Sequence, residues 1–250
     1  MQNYKNCLYL CKKTFIFVKK MHFKEIFNHF IGLFYPNICA VCKQNLLIGE
    51  KTICLSCLQK IPRTRLHLVK DNVIEQRFWG KVQLERATAF YYFTKKSKFQ
   101  KILHQLKYNN NKEIGIATGK YAAAELVESE DFANFDYLVP VPLHPKKLQK
   151  RGYNQALCIA QGLAEILKGE IDAENLVRAI ENPTQTKKSV YERWENTKGI
   201  FAVKNPQLFE NKRILLIDDV LTTGSTLIAC VEAIHEVCNA KVSVFTLAVV

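Results

Sequence analysis

Residues 214–226, ILLIDDVLTTGST, place two adjacent carboxylates between four apolar residues and a cluster of hydroxyl side chains. The apolar run predicts a buried strand, and the residues after Asp218 and Asp219 predict a helix that opens over Thr222 to Thr226. N–H groups at a helix start bind phosphate, and Gly224 allows close approach of the backbone. Carboxylates upstream can accept hydrogen bonds from sugar hydroxyls or hold Mg²⁺ through water. The segment therefore suits a sugar that carries a phosphate, and the alternative is an ordinary turn with a helix N-cap.

Four cysteines form a second group that could do chemistry. Cys39-x-x-Cys42 and Cys54-x-x-Cys57 each direct two sulfurs at one centre, and the two pairs together supply four thiolates. Tetrahedral four-sulfur coordination is the usual arrangement of a closed structural zinc site. We therefore predict a structural Zn²⁺ bound by these residues, with a lost site, iron or disulfides as the alternatives.

The charge of the chain restricts its partners. The 250 residues carry a formal charge of +13, and residues 1–24 contain six lysines and no acidic residue. A basic surplus favours polyanions such as nucleic acid, phosphorylated metabolites or an anionic membrane face, although a solvated basic surface is an equally good explanation. No apolar run approaches the ~20 residues that a membrane-spanning helix needs, and no signal-peptide cleavage site follows the early segment TFIFV. We expect a cytoplasmic protein without a transmembrane segment.

The elements that position these residues fall into four regions. The first is a basic leader, and Met21 is an alternative start of translation that would remove most of it. The second contains an amphipathic helix at 22–35 and the four-cysteine zinc-knuckle module, and a linker separates it from the main domain. The regions are 1–21 for the leader, 22–62 for the helix and zinc module, 63–85 for the linker and 86–250 for the main domain.

From residue 86 onward, predicted strands alternate with predicted helices, and several strands are near-continuous apolar runs, such as RATAFYYF at 86–93 and VSVFTLAVV at 242–250. This alternation predicts an α/β fold with a mostly parallel twisted sheet and helices on both faces. Ligands of such sheets bind at the carboxyl ends of the strands. The carboxylates of residues 214–226 and a proline-rich loop after strand 136–142 both lie at such ends.

The segment LLIDDVLTTGST resembles the loop that binds phosphoribosyl pyrophosphate (PRPP) in type I phosphoribosyltransferases. The resemblance implies that Asp218 and Asp219 contact the ribose hydroxyls of Mg²⁺-PRPP. It also implies that the residues after them wrap the 5′-phosphate, namely Leu221, Thr222, Thr223, Gly224, Ser225 and Thr226.

Two further segments, VPVPLHPKKLQKRGYNQA (139–156) and QTKKSVYERWENTKGIF (185–201), resemble the ComF family together with the four-cysteine N-terminal region. In this competence-associated family a zinc finger precedes a phosphoribosyltransferase-like domain. The resemblance implies a pyrophosphate loop and a flexible hood over PRPP, although Lys188 replaces the apolar residue that the family has in the hood. The implied pyrophosphate-loop residues are Lys146, Lys147, Arg151 and Asn154, and the implied hood residues are Gln185, Arg193 and Asn196.

The Lys107–Tyr108 pair is also shared with the family. A lysine at this position has an equally good local explanation, because a cation at the end of a helix is favoured by the helix dipole. The sequence leaves both interpretations open.

Three hypotheses for function remain open. The first is a phosphoribosyltransferase that moves ribose 5-phosphate from Mg²⁺-PRPP to an amine or base, for which the sequence identifies neither an acceptor nor a catalytic residue. The second is a non-catalytic PRPP or nucleotide sensor that engages single-stranded DNA, or proteins of DNA uptake or recombination. The third is a nucleotide-salvage enzyme. The family resemblance implies a role in DNA uptake and natural transformation.

Overall fold

The computed structural model describes residues 37–108, 111–178 and 199–250. The chain divides into two compact units, residues 1–54 and residues 55–250. The predicted leader, the predicted helix at 22–35 and the three hood residues Gln185, Arg193 and Asn196 lie outside the described ranges. Within those ranges, no helix is both long and apolar enough to cross a membrane.

A five-stranded sheet with the strand order β1-β7-β6-β2-β3 forms the centre of the second unit, and every pairing within it is parallel. This confirms the predicted fold class. Strands β4 and β5 form a separate antiparallel pair, and in the sequence they fall between β3 and β6. The strands are β1 Ala87–Tyr92, β2 Asn134–Pro140, β3 Lys168–Ile171, β4 Leu176–Arg178, β5 Phe201–Val203, β6 Arg213–Leu221 and β7 Lys241–Val249.

Helices cover both faces of this sheet. Helix α6 packs on β2 and β6 with α3 beside it, whereas α8 packs into a core cluster on the other face. The helices are α1 Leu55–Gln59, α2 Gln100–Tyr108, α3 Lys112–Leu126, α4 Glu130–Ala133, α5 Pro145–Arg151, α6 Gln155–Ala164, α7 Pro206–Phe209 and α8 Ser225–His235, with 3-10 helices at Leu66–Leu68 and Glu75–Arg77.

Strand β6 shows why the apolar run at 214–217 forms a central strand. All four residues from Ile214 to Ile217 are fully buried, and Ile214 and Leu216 join the core cluster that includes Leu227 and Val231 of α8. Since successive side chains of a strand point to opposite faces, a run that is buried at every position must be covered on both. Burial of each such side chain contributes about 1.5–3 kcal/mol to the free energy of folding. This stabilises the strand that carries the two aspartates.

Helices α3 and α6 approach each other through glycines. A Cβ atom at Gly162 would lie 2.0 Å from the carbonyl oxygen of Ile116, and one at Gly119 would lie 2.3 Å from that of Ile159. Both obstacles are backbone atoms, which cannot move aside as a flexible side chain can. The absence of a side chain at these positions therefore sets the distance between the two helices.

Residues 63–85, predicted as a linker, are packed against the sheet. Ile74 and Phe78 are buried in the core cluster. The buried Glu75 carboxylate accepts hydrogen bonds from Arg86 Nε at 2.7 Å and from the N–H of Ala87 at 3.1 Å, and Asn72 Nδ2 donates to the Ala87 carbonyl at 3.0 Å. The segment is polar in the sequence, which is why it was predicted as a linker. Its charged and amide groups are nevertheless hydrogen-bonded inside the fold.

The outer edge of β1 is covered by residues 62–64. The N–H of Thr64 donates to the Phe90 carbonyl at 3.1 Å, and the N–H of Tyr92 donates to the Pro62 carbonyl at 2.8 Å. Pairing of this kind removes the open hydrogen-bonding groups that make an edge strand prone to association.

Candidate functional site

A cavity of about 260 Å³ lies where β2 and β6 end, at the carboxyl edge of the sheet. Four separate parts of the chain contribute to it: the end of α2, the stretch from the end of β2 to the start of α6, the end of β4, and the stretch from the end of β6 to the start of α8. Its lining residues are Lys107, Val141, Pro142, Leu143, His144, Lys147, Arg151, Asn154, Gln155, Ala156, Arg178, Asp218, Asp219, Val220, Thr222 and Thr226.

The two aspartates lie inside β6, which continues to Leu221 and does not end at residue 217 as the sequence suggested. Adjacent side chains of a strand point to opposite faces, and this separates the two carboxylates. Asp219 Oδ2 lies 3.0 Å from Lys107 Nζ in a largely buried ion pair. Asp218 Oδ1 accepts a hydrogen bond from the N–H of Asp219 at 2.8 Å. Each carboxylate therefore has its own partner.

Asp218 has an unusual acidity. Burial, together with the negative charge of Asp219, raises its pKa from 3.8 to about 7. The hydrogen bond from the N–H of Asp219 and the positive charges of Lys107 and Lys147 lower the pKa, but by less. A carboxyl with a pKa near 7 is present in both protonation states at neutral pH. It can accept a hydrogen bond from a sugar hydroxyl, or donate one while it is protonated.

After β6 the chain turns through residues 222–224, and α8 begins at Ser225, later than the predicted opening over Thr222. The first helical hydrogen bond runs from the N–H of Ile228 to the carbonyl of Gly224 at 2.9 Å, so the preceding N–H groups face out of the helix end. Gly224 has a φ of 82°, and a Cβ atom there would meet nothing closer than 3.5 Å. The left-handed backbone, and not a lack of space within the chain, accounts for glycine here.

The residues predicted to hold the 5′-phosphate do not all face the cavity. Thr222 and Thr226 line it. The hydroxyls of Thr223 and Ser225 lie 2.9 Å apart and bond to each other, and the Leu221 side chain is buried in the core cluster. The pattern thus consists of two cavity-lining threonines, a mutually bonded hydroxyl pair and an apolar anchor.

The predicted pyrophosphate loop forms a short helix beside the aspartates. His144 caps α5 by accepting a hydrogen bond from the N–H of Lys146 at 3.1 Å, and Pro145 occupies the first helical position. Lys147 and Arg151 line the cavity, whereas Lys146 is exposed and is not among the lining residues. One turn of helix separates the two lining cations, which places both on one side of α5.

Asn154, predicted to contact pyrophosphate, lines the cavity but has a structural role. Its Oδ1 accepts a hydrogen bond from the N–H of Ala156 at 3.0 Å and so caps α6. Its Nδ2 donates to the carbonyl of Val141 at 3.0 Å. Both ends of the amide are therefore used in tying the loop to the end of β2.

Two cations of the cavity were not predicted as site residues. Lys107 comes from α2, more than one hundred residues before the aspartate it contacts. Arg178 comes from the end of β4, and its guanidinium lies 5.3 Å from the centre of the Phe201 ring on the paired strand. The sequence carried one signal for each, because Lys107 belongs to the shared Lys-Tyr pair and Arg178 ends the strand before the predicted hood.

The four cysteines also come together. Their sulfur atoms all lie within 4.8 Å of one another, and the Cys42 and Cys54 sulfurs are 3.7 Å apart. Tetrahedral Zn²⁺ with bonds of about 2.3 Å requires sulfur–sulfur distances of about 3.8 Å, so the cluster fits this ion. The first knuckle is closed by a hydrogen bond from the N–H of Cys39 to the carbonyl of Gln44 at 2.8 Å.

Cys39 is prepared for metal binding by its backbone surroundings. Burial of the thiol raises its pKa, but hydrogen bonds that include those from the N–H groups of Cys54 and Val41, at 3.3 and 3.4 Å, outweigh it and lower the pKa to about 6. The thiolate is the form that binds metal. The cluster therefore favours the charge state that Zn²⁺ requires.

The chemistry of the cavity is divided between its two sides. Lys147, Arg151 and Arg178 present cations without a carboxylate partner among the ion pairs of the described residues, and such groups bind phosphate oxygens. Asp218 and Asp219 present acceptors suited to hydroxyl groups, and the start of α8 presents N–H groups to an anion. The arrangement suits a ligand with hydroxyls at its centre and phosphates at both ends.

Comparison with known proteins agrees with this geometry. Residues 154–249 match the phosphoribosyl transferase domain family. DNA utilization protein YhgH of Escherichia coli is 26% identical over 209 residues, covering 76% of this chain and 87% of that protein. Competence protein ComFC of Bacillus subtilis is 36% identical over 111 residues, covering 44% of this chain and 43% of that protein.

Among solved structures, the glutamine PRPP amidotransferase of Bacillus subtilis aligns with 53% of this chain and 25% of its own, at 20% identity and a TM-score of 0.36. The chain is thus similar to proteins named for DNA utilization and competence, and it combines a cysteine cluster with a phosphoribosyltransferase-like domain.

Proposed function

We propose that this protein binds Mg²⁺-PRPP in the cavity at the carboxyl edge of the sheet and acts in DNA uptake. The observation that supports PRPP is the meeting of Asp218, Asp219 and Thr222 with Lys147 and Arg151 in one cavity. The role in DNA uptake is supported by relatives that are named for DNA utilization and competence.

In this assignment the ribose hydroxyls bond to Asp218 and Asp219, and the 5′-phosphate lies at the start of α8 beside Thr222 and Thr226. The pyrophosphate lies against Lys147 and Arg151. Magnesium would arrive with PRPP and neutralise part of the pyrophosphate charge, since Mg²⁺ binds through few carboxylates and substrate phosphates. The ion pair of Lys107 with Asp219 orients that carboxylate before the sugar binds.

Calorimetry of the full chain with PRPP, with and without Mg²⁺, tests the binding. We expect one site per chain that requires Mg²⁺, and the absence of any binding would disprove the proposal. Lys147→Gln should weaken binding, whereas Lys146→Gln is a matched control one residue away that does not line the cavity. An equal loss of PRPP affinity in both variants would show that binding depends on the overall positive charge and not on the cavity.

Pyrophosphate release with a panel of bases and amines separates an enzyme from a sensor. Release that depends on an acceptor would make the protein a phosphoribosyltransferase and identify the acceptor class. Tight binding of PRPP without release would assign it as a sensor that couples PRPP to a partner in DNA uptake.

A further inference from the structure

The exposed face of α2 carries a stripe of cationic and aromatic side chains that the proposed PRPP site does not use. Lys101, His104 and Tyr108 are all exposed, at positions i, i+3 and i+7 of this helix, whereas Ile102, Leu103 and Leu106 between them are buried. Residues at this spacing lie on one side of a helix. The Tyr108 side chain is 63% exposed, which is a large aromatic surface to leave in water.

The stripe ends at the rim of the cavity. The ring of His104 lies 5.0 Å from that of Tyr108, and the guanidinium of Arg151 lies 6.0 Å from the Tyr108 ring. Arg151 and Lys107 line the cavity. The buried Tyr153 hydroxyl donates a hydrogen bond to the Leu106 carbonyl and so ties the end of α2 to the segment after α5. The aromatic ring is thus held beside the proposed PRPP site.

The two helices next to this ring carry charge of only one sign. Neither α2 nor α5 contains an acidic residue, and α5 exposes Lys146 and Lys150 in addition to Lys147. Exposed rings interleaved with cations are the surface that binds single-stranded nucleic acid, because each base can stack on a ring while the phosphates meet the cations. A duplex offers no free base face, and an acidic peptide offers no planar ring at regular spacing.

We propose that the stripe of Lys101, His104 and Tyr108 binds single-stranded nucleic acid, with an unpaired base stacked on Tyr108 and the phosphates beside the exposed lysines of α2 and α5. The inference rests on the proposed function, because the stripe adjoins the cavity assigned to PRPP. In this proposal, the stripe is the surface that brings single-stranded nucleic acid to the cavity.

Fluorescence anisotropy of the full chain with a labelled single strand of about 12 nucleotides tests this proposal. Tyr108→Ala should weaken binding about 5- to 150-fold, the range that loss of one stacked base gives. Tyr108→Phe should bind like the parent, because it keeps the ring face. Tyr92→Ala is the matched control, since Tyr92 is 44% exposed on the edge strand β1. Lys101→Gln should reduce the slope of log affinity against log salt by about 0.7 for one lost phosphate contact.

Several outcomes would overturn the proposal. They are a Tyr108→Ala protein that binds the strand like the parent, equal weakening by Tyr92→Ala, a duplex bound as tightly as the single strand, and complete loss of binding on removal of residues 1–20. Competition by a mononucleotide at the affinity of the strand would show a free-nucleotide site and would also overturn it. Calorimetry of Tyr108→Ala with Mg²⁺-PRPP keeps the two proposals apart, because loss of strand binding with normal PRPP affinity concerns the stripe alone.

Discussion

Replacing Asp218 with asparagine should stabilise the protein at neutral and alkaline pH while weakening its binding of PRPP. Burial and the neighbouring charge of Asp219 raise the pKa of Asp218 from 3.8 to about 7. The unfolded chain loses this proton near pH 4, whereas the folded protein keeps it until about pH 7. Ionisation of Asp218 therefore opposes folding in that window.

The size of the effect follows from the two pKa values. Each pH unit between them corresponds to 1.36 kcal/mol, so a difference of about three units gives about 4 kcal/mol as an upper limit. Below pH 4 the carboxyl is protonated in both states, and the neutral amide that replaces it would give no advantage. The advantage should grow from pH 4 to pH 7 and then stay constant.

Urea denaturation of the parent and the Asp218→Asn protein at intervals from pH 4 to pH 8 measures this difference. Asp136→Asn is a control of opposite sign, because the N–H of Arg213 donates to that carboxylate and holds its pKa below the usual value. Asp136 therefore adds stability above pH 4 that is lost as the pH falls. If Asp218→Asn is no more stable than the parent at pH 8, or if its advantage does not depend on pH, Asp218 is not held at a raised pKa and the reasoning fails.

Three further predictions concern the site, the packing and the metal. Asp219→Ala should lose about ten- to hundredfold in PRPP affinity by calorimetry, because hydrogen bonds to a charged group are worth about 1.5–3 kcal/mol, and unchanged affinity would mean that the aspartates are part of an ordinary strand end. Gly162→Ala should lower the free energy of unfolding by about 1–3 kcal/mol, since its Cβ atom would lie 2.0 Å from the Ile116 carbonyl oxygen, and a stability equal to the parent's would show that the two helices can separate without cost. Cys57→Ser should reduce the zinc content from one per chain to near zero and unfold the cysteine module, as judged by metal analysis and proteolysis, while the circular dichroism of the main domain persists; zinc retained at full stoichiometry would exclude Cys57 as a ligand.

The parallel sheet and the β6 loop could be predicted because their signals are local. The apolar run before Asp218 is contiguous, and the glycine at 224 and the hydroxyls around it follow within eight residues. Strand β3 could not be predicted in this way. Its residues, KGEI, are alternately exposed and half-buried at the edge of the sheet, so they carry no apolar signal.

Side-chain contacts between distant segments were also beyond the sequence. Nothing in the residues around Asp219 indicates that Lys107 will contact it, because the contact depends on how α2 lies against the sheet. The burial of Glu75 and Arg86 was hidden for a similar reason, since charged residues indicate a surface unless their partner is known. Asn154 shows the converse case, because a residue with the right chemistry for a ligand also makes hydrogen bonds within the chain that the sequence does not reveal.

The pairing of β4 with β5 has a consequence for how this fold can change. Arg178 and Phe201 are direct partners in that pairing, and Arg178 also lines the cavity. The position of this cation therefore depends on a strand of only three residues, Phe201–Val203. A substitution on that strand that weakens the pairing would change the charge presented to the cavity without altering any residue that lines it.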